Sequence, residues 1–272
     1  MTSPSPFRHV PLILSMAAIL SGCATAPKGV SGSLIASDVR LEVERDRPQS
    51  SRQQRVDRAA IAQAKTLRVV PVRFADGADA ALSPREREVI LAGVGRALCS
   101  RTANHFEIVA ADQPADIVLE SEITGIGLTN RGAAGASFVV GALSPVPLTP
   151  RLPAGMGGLS ADVVANSTDG SSVFELRWAQ GANAFTTDAT PSRIGDAYEL
   201  SDVLARDVGR LLRDQGDGRR RDRVDQPTRR RSKEACLASF GRIEPGARLA
   251  GLALPLTPEF VEAKAGGGDS GR

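Results

Sequence analysis

The pattern of apolar and polar positions divides the 272-residue chain into predicted strands and helices. A β-branched run over 67–74 predicts the first strand, and apolar runs predict four more over 106–110, 115–129, 159–165 and 172–179. Apolar residues at helical spacing predict one helix from Pro84 to about Thr102 and a second from Pro191 to about Arg213. The order predicts an α+β fold: a mixed or antiparallel sheet of about five strands with two long helices packed on one face.

Short-range signals fix some details of these elements. Ser83, Pro84 and Glu86 have the spacing of an N-cap with a capping box, which predicts where the first helix begins. Pro71 cannot donate a hydrogen bond to a neighbouring strand, so the first strand is predicted to lie at an edge or to carry a bulge there. Asp169-Gly170 predicts a hairpin turn, and Gly125-Ile126-Gly127 predicts a bulge within a strand.

The N-terminus has the features of an export signal. Arg8 precedes the apolar run Val10–Leu20, which is too short to span a bilayer as a helix. Leu20-Ser21-Gly22-Cys23 resembles the lipobox of bacterial lipoproteins, which implies cleavage between Gly22 and Cys23 and lipidation of Cys23. Ala24 after the cysteine favours the outer membrane, with the domain facing the periplasm. The alternative is an ordinary signal peptide with a cysteine near its cleavage site.

Composition then predicts six segments along the chain. These are a signal peptide (1–22), the lipidated cysteine with a polar tether (23–65), the α+β domain (66–215), an Arg-rich linker (216–234), an apolar extension (235–264) and a disordered tail (265–272). A Gly-, Ala- and Pro-rich insertion over 130–157 interrupts the domain and is expected to be functional or mobile.

The charge of the chain is concentrated in one place. The net charge is +3 and the sequence pI is about 9.0, values that by themselves suggest nucleic-acid binding. Residues 217–233, however, hold eight basic and three acidic residues, so the rest of the exported chain is slightly acidic. Aromatic residues make up only 4% of the chain, too few for base-stacking platforms. Together with export, this argues against nucleic acid as a partner.

Catalytic motifs are scarce in this sequence. His105 is the one histidine that follows the signal peptide, and neither a nucleophile elbow nor a phosphate-binding loop is present. Glu120 and Glu122 share one face of a predicted strand, where a solvated surface is expected rather than an acid–base pair. We therefore predict no catalytic residue set, no cofactor and no metal ligand.

Cys99 and Cys236 are the two cysteines outside the signal region. Export places them in an oxidising compartment, where an even pair is often bridged. A disulfide between them is the hypothesis, and two buried thiols are the alternative.

A family resemblance rests on the order of these features. The lipobox is followed by a valine-rich strand ending at Arg73-Phe74-Ala75-Asp76, a capped helix, the Asp116–Leu119 strand, the hairpin of Ser160–Val163 and Asp169-Gly170, and an amphipathic helix. This order resembles bacterial lipoproteins grouped as domain of unknown function 3313, over roughly residues 23–215. The resemblance implies no catalytic residues.

The function expected from the sequence is that of a membrane-anchored, non-enzymatic lipoprotein that binds a protein or another component of the cell envelope. The N-terminal lipid is expected to attach the protein to the membrane. Two arginine runs are expected either to contact anionic head groups or to form only a solvated linker: Arg219, Arg220, Arg221, Arg229, Arg230 and Arg231. The alternative function is an envelope hydrolase with an active site near His105.

Overall fold

The computed structural model describes residues 24–130, 155–183, 192–216 and 219–241, together with Pro258. The predicted signal peptide with Gly22 and Cys23, most of the 130–157 insertion, most of the apolar extension and the whole predicted tail lie outside the described residues.

The described residues form ten strands and four helices. The strands are β1 (Glu42–Arg47), β2 (Ser50–Val56), β3 (Thr66–Val69), β4 (Arg73–Phe74), β5 (Glu107–Ile108), β6 (Ile117–Gly127), β7 (Gly158–Ser167), β8 (Ser172–Gly181), β9 (Asp214–Gly216) and β10 (Arg219–Arg220). The helices are α1 (Arg58–Gln63), α2 (Pro84–Thr102), α3 (Gly195–Arg213) and α4 (Gln226–Phe240).

Eight of the strands build one mixed sheet. Its order is β1–β2–β8–β7–β6–β3–β5, with β4 also paired to β6, while β9 and β10 form a separate small hairpin. β3 is parallel to β5 and β6, and β1, β2, β8, β7 and β6 are antiparallel to their neighbours in turn. The predicted α+β fold with a mixed sheet is confirmed, and the sheet is three strands larger than expected.

The hydrophobic core lies between the sheet and the helices on one of its faces. Alternation along β6 turns Leu119 and Ile123 toward the helices, and both are fully buried. α2 buries Ile90 and Leu98, which lie two helical turns apart on one stripe, and α3 buries Leu204 together with the rest of its apolar stripe. The two helical stripes pack on each other and on the sheet, which produces the predicted layer of helices.

The beginning of α2 follows the predicted capping box. The Ser83 hydroxyl accepts a hydrogen bond from the Glu86 backbone N–H at 3.3 Å, and a Glu86 carboxylate oxygen accepts one from the Ser83 N–H at 2.9 Å. Two of the amide groups that a helix start leaves unpaired are thereby satisfied.

Pro71 interrupts the first predicted strand instead of placing it at an edge. β3 lies between β5 and β6, and the chain leaves the sheet after Val70 and rejoins it as β4. Backbone N–H groups of Val70 and Ala75 still bond to carbonyls of β6 on either side of the gap. The missing N–H of proline is therefore accommodated by a break in pairing.

The bulge predicted at Gly125-Ile126-Gly127 is confirmed, since the register between β6 and β7 shifts between Ile123 and Gly125.

The prediction of a polar tether over 23–65 is wrong for the described part of that range. Residues 42–63 form β1, β2 and α1, and β2 pairs with β8 along its whole length. These strands have no apolar alternation because β1 is an exposed edge and because backbone hydrogen bonds, which any side chain permits, hold β2 to β8.

The prediction of an Arg-rich linker over 216–234 is also wrong. The chain forms the β9–β10 hairpin and then enters α4, whose N-cap Asp225 accepts a hydrogen bond from the Thr228 N–H at 2.7 Å. Pro227 in the first turn favours this helix start. The segment has the composition of a linker because basic side chains occupy the exposed face of α4. The opposite face of the helix is buried through Ser232, Cys236 and Phe240.

Candidate functional site

The segment from Ala24 to Ala36, which we call the N-terminal strap, lies directly on the sheet. The Ala24 N–H donates to the Ala182 carbonyl at 2.8 Å, and the Ala26 N–H donates to the Pro48 carbonyl at 2.8 Å. Further along, the Val30 N–H donates to the carbonyl of Thr124 on β6 at 2.8 Å. The residue that follows Cys23 is thus already part of the folded domain.

Glu122 of β6 holds the middle of the strap. Its carboxylate accepts hydrogen bonds from the Ser33 N–H at 2.5 Å, the Ser33 hydroxyl at 2.9 Å and the Arg73 guanidinium at 3.0 Å. Gly32 passes so close that a Cβ there would stand 2.7 Å from carboxylate oxygens of both Glu122 and Asp162. The expectation that Glu122 lies on a solvated face is wrong, because the strap covers it and leaves it 3% exposed.

The two carboxyl groups under the strap differ in their pKa values. Burial raises the pKa of Glu122, but the hydrogen bonds from Ser33 and Arg73 outweigh it, so the net effect is a lowered pKa. For Asp162, burial dominates over the attraction of Arg177 and raises the pKa to about 6. A lowered folded-state pKa means that Glu122 stabilises the fold above its unfolded-state pKa, and that this contribution declines as the pH falls through the folded-state value.

We expect the Glu122→Ala substitution to release the strap while leaving the sheet paired. Charge-assisted hydrogen bonds contribute about 1.5–3 kcal/mol each, so cleavage by trypsin after the exposed Lys28 should accelerate by about tenfold or more. Limited proteolysis with mass detection of the new N-terminus measures this rate. Glu120→Ala is the matched control, because Glu120 is on the same strand and bonds only to Asn166 among the contacts found for it. Equal acceleration in both variants would contradict the role of Glu122.

A second feature, which we call the basic cleft, opens where α2 and α3 end. It has a volume of about 290 Å³, and five arginines line it together with Asn104, His105 and Gly209: Arg101, Arg206, Arg210, Arg213 and Arg223. Gly209 allows the two helices to approach, since a Cβ there would meet the Arg101 side chain at 2.6 Å. The described residues that line the cleft include no carboxylate and no hydroxyl or thiol side chain.

Few of these arginines are neutralised by neighbouring acids. Arg210 forms ion pairs with Asp207 at 3.3 Å and with Glu44 at 3.7 Å. Within the part of the chain that the structure describes, Arg101, Arg213 and Arg223 take part in no ion pair. The Nε atom of Arg213 is buried without a hydrogen-bond partner there. The cleft therefore carries a positive charge that the fold itself does not balance.

His105 is in the loop after α2 and is half-buried at the wall of the cleft. Its Nδ1 is 3.1 Å from the Asp222 carbonyl oxygen. Burial lowers the pKa of His105, the contact with Asp222 opposes this, and repulsion from Arg213 and Arg223 adds to the lowering. Apart from this imidazole, the polar side chains that line the cleft in the described part of the chain are guanidinium groups and the Asn104 amide, which are groups that can bind an anion.

The two arginine runs lie around this end of the domain, but not as one surface. Arg221 turns inward, with its guanidinium 4.4 Å from the centre of the Phe106 ring and a hydrogen bond to the Ile61 carbonyl. Arg231 pairs with Glu107 at 3.6 Å. Arg219 and Arg220 form the exposed β10, and Arg229 and Arg230 lie on α4.

The basic cleft is not evident from the composition of the chain. The densest arginine charge lies in 217–233, whereas four of the five arginines that line the cleft come from α2 and α3. One signal was available: Arg206, Arg210 and Arg213 recur at helical spacing beside the apolar stripe, which places them on one face of α3.

The predicted disulfide is present. Cys99 of α2 and Cys236 of α4 are joined, and both are buried. The bridge fixes α4 to the end of the domain where the basic cleft opens.

The described residues contain neither a candidate metal site nor a candidate membrane span. No group of three or more His, Cys, Asp or Glu side chains there is arranged to hold a metal ion. None of the helices in the described ranges is both long and apolar enough to cross a membrane.

Fold and site together define the class of protein: an α+β domain with a mixed sheet, an N-terminal strap on one face of that sheet and a basic cleft at one end. The chain belongs to the family described as "Protein of unknown function (DUF3313)", whose model matches residues 32–208. A search of curated proteins finds no match. Among solved structures, the chain is similar to a dodecamer of a PelC point variant from Paraburkholderia phytofirmans, with 13% identity and a TM-score of 0.31, over 58% of this chain and 98% of that one. A likeness of this strength supports no inference about function.

Proposed function

We propose that this protein is a lipid-anchored, non-enzymatic component of the bacterial cell envelope, whose α+β domain is held at the outer membrane, faces the periplasm and binds a protein or another envelope component. The lipobox-like Leu20-Ser21-Gly22-Cys23 and the Ala24 that follows it support the anchor. Acyl chains contribute about 0.8 kcal/mol per buried CH₂, so several chains on Cys23 anchor a domain of this size stably.

One structural observation carries the proposal. The backbone of Ala24 is hydrogen-bonded to Ala182 beyond the end of β8, and the strap continues across the sheet. A lipid on Cys23 therefore holds the domain at the bilayer surface with one end of the sheet toward the lipid, because no length of free chain intervenes.

This arrangement also bears on the arginine runs. Ala26 bonds beside the start of β2, whereas Arg221 bonds to Ile61 in α1, beyond the other end of that strand. Seven residues of strand separate the two places by about 20 Å, which exceeds two Debye lengths at physiological ionic strength. We therefore assign the binding role to the end of the domain that points away from the anchoring bilayer.

Metabolic labelling with palmitate tests the anchor. We expect the wild-type chain to carry the label and to fractionate with membranes, whereas Cys23→Ser should lose the label completely because the thiol is the group that is acylated. Thr25→Ala is the matched control and should keep both properties. A wild-type chain without label, or a Cys23→Ser variant that keeps it, would overturn the proposal.

A further inference from the structure

We infer that the basic cleft is a binding site for the phosphoryl group of a small anionic ligand, with the guanidinium groups of Arg101, Arg213 and Arg223 holding its oxygens. This inference concerns the end of the domain away from the strap, and it holds whether or not Cys23 is lipidated.

The size of the cleft sets the scale of the ligand. Its volume of about 290 Å³ is at the lower end of the range for small-molecule sites, about 300–1,000 Å³. A phosphoryl group with a compact polar substituent fills such a space, whereas a folded protein domain cannot enter it.

The charge of the cleft exceeds what the helix ends require. α2 and α3 both end here, and each helix C-terminus carries about half a negative charge, so the two together balance about one arginine. Arg210 is balanced separately by Asp207 and Glu44. Since five arginines line the cleft, more than two positive charges remain for a ligand.

The type and placement of these residues favour a phosphoryl group over a carboxylate. A carboxylate offers two oxygens and one negative charge, whereas a phosphate monoester offers three acceptor oxygens and a charge of about −1.5 to −2. Guanidinium groups bind such oxygens in bidentate fashion. Arg101 from α2, Arg213 from α3 and Arg223 from the segment before α4 approach from three separate elements, and the buried Nε of Arg213 lacks a hydrogen-bond partner among the described residues.

His105 gives this site a pH signature. The cleft that His105 lines is also lined by Arg101 and Asn104 on the α2 side, by Arg206, Arg210 and Arg213 of α3, and by Arg223, while the Asp222 carbonyl contacts the ring and Arg221 acts on it electrostatically. Burial and repulsion from Arg213, Arg223 and Arg221 disfavour the imidazolium in the empty cleft, and an anion favours it. Binding therefore takes up a proton, and affinity increases as the pH falls from about 8 to 6.

The decisive experiment titrates the chain from residue 24, which retains every described residue, with inorganic pyrophosphate by calorimetry. Removing two charge-assisted contacts in Arg101→Gln/Arg223→Gln should weaken binding by at least about tenfold. The matched control, Arg220→Gln/Arg230→Gln, removes the same charge from the exposed arginine runs and should change binding by less than about threefold. If the double cleft variant unfolds, the affinity of the single variant Arg223→Gln is the test. Arg223 is exposed and outside the helices, so this substitution should leave the fold intact.

Sulfate provides the pH measurement, because it remains a dianion over the whole range whereas phosphate itself titrates. Wild-type affinity for sulfate should increase as the pH is lowered from about 8 to 6, and His105→Gln should bind with no such dependence. An identical pH dependence in both proteins would overturn the assignment of His105 to the site.

Vesicles distinguish the source of the phosphoryl group. Cleft-dependent binding to phosphatidylglycerol vesicles, with none to phosphatidylcholine, indicates a lipid head group, and binding to pyrophosphate alone indicates a soluble ligand. Either result supports the site. The inference is overturned if neither probe binds, or if the control variant loses as much affinity as the cleft variant.

Discussion

Opening the Cys99–Cys236 disulfide is expected to lower the free energy of unfolding by about 3–5 kcal/mol. The bridge closes a loop of 137 residues, so its loss frees a large part of the unfolded chain. It also releases α4, which packs on α2 and β5 through a few buried side chains, among them Ser232 and Phe240. Without the bridge, α4 is held by this short apolar stripe and by hydrogen bonds from the Ile108 N–H to the Ser232 hydroxyl at 2.9 Å and from the Arg96 guanidinium to the Phe240 carbonyl at 3.1 Å.

Urea unfolding of the chain from residue 24 measures this effect. We expect the Cys99→Ala/Cys236→Ala variant to unfold at a lower urea concentration than the oxidised wild type, and treatment with reductant to bring the wild type to a similar midpoint. The double variant is its own control for the reductant, to which it should not respond. A variant within about 1 kcal/mol of the oxidised wild type would show that the helix is held by packing alone.

The start of α2 was predictable from the sequence because its signal lies within a few neighbouring residues. The disulfide was predictable because few cysteines are available to pair. Ser83 and Glu86 carry the helix start within four residues, and Cys236 is the one other cysteine that follows the N-terminal 23 residues, so it is the one candidate partner of Cys99 there. Neither inference needs knowledge of what lies across the domain.

β1 and β2 were not predictable because neither has apolar alternation, and because β2 pairs with β8, which is distant in sequence, while β1 pairs with β2 at the edge of the sheet. β2 contains Ser50, Ser51, Arg52, Gln53, Gln54 and Arg55, and its backbone pairing with β8 on one side and β1 on the other makes it a strand. The burial of Glu122 and the basic cleft were not predictable because both depend on tertiary contacts. The strap covers Glu122, and the cleft forms where α2, α3 and Arg223 meet. Alternation could place Glu122 on a face but could not say what covers that face.

Asp207→Ala is expected to destabilise the fold by about 3 kcal/mol, because Asp207 is where β2 joins the helical layer. Its carboxylate accepts hydrogen bonds from the Trp178 indole N–H at 3.0 Å and from the guanidinium of Arg52, whose side chain is 5% exposed. Removing the acid leaves a buried donor unpaired and a buried guanidinium whose remaining ion-pair partner among the described residues is Glu44, with a side chain 36% exposed.

The Asp207 prediction has a control on the same helix. Asp202 is exposed, so Asp202→Ala should change stability by no more than about 0.5 kcal/mol. A double-mutant cycle with Arg52→Met separates the ion pair from the indole contact: if the pair is what fixes β2, the Arg52→Met/Asp207→Ala protein is more stable than the sum of the single losses predicts. Strict additivity in urea unfolding would contradict the coupling, and the polar strand would then depend on its backbone hydrogen bonds to β8 alone.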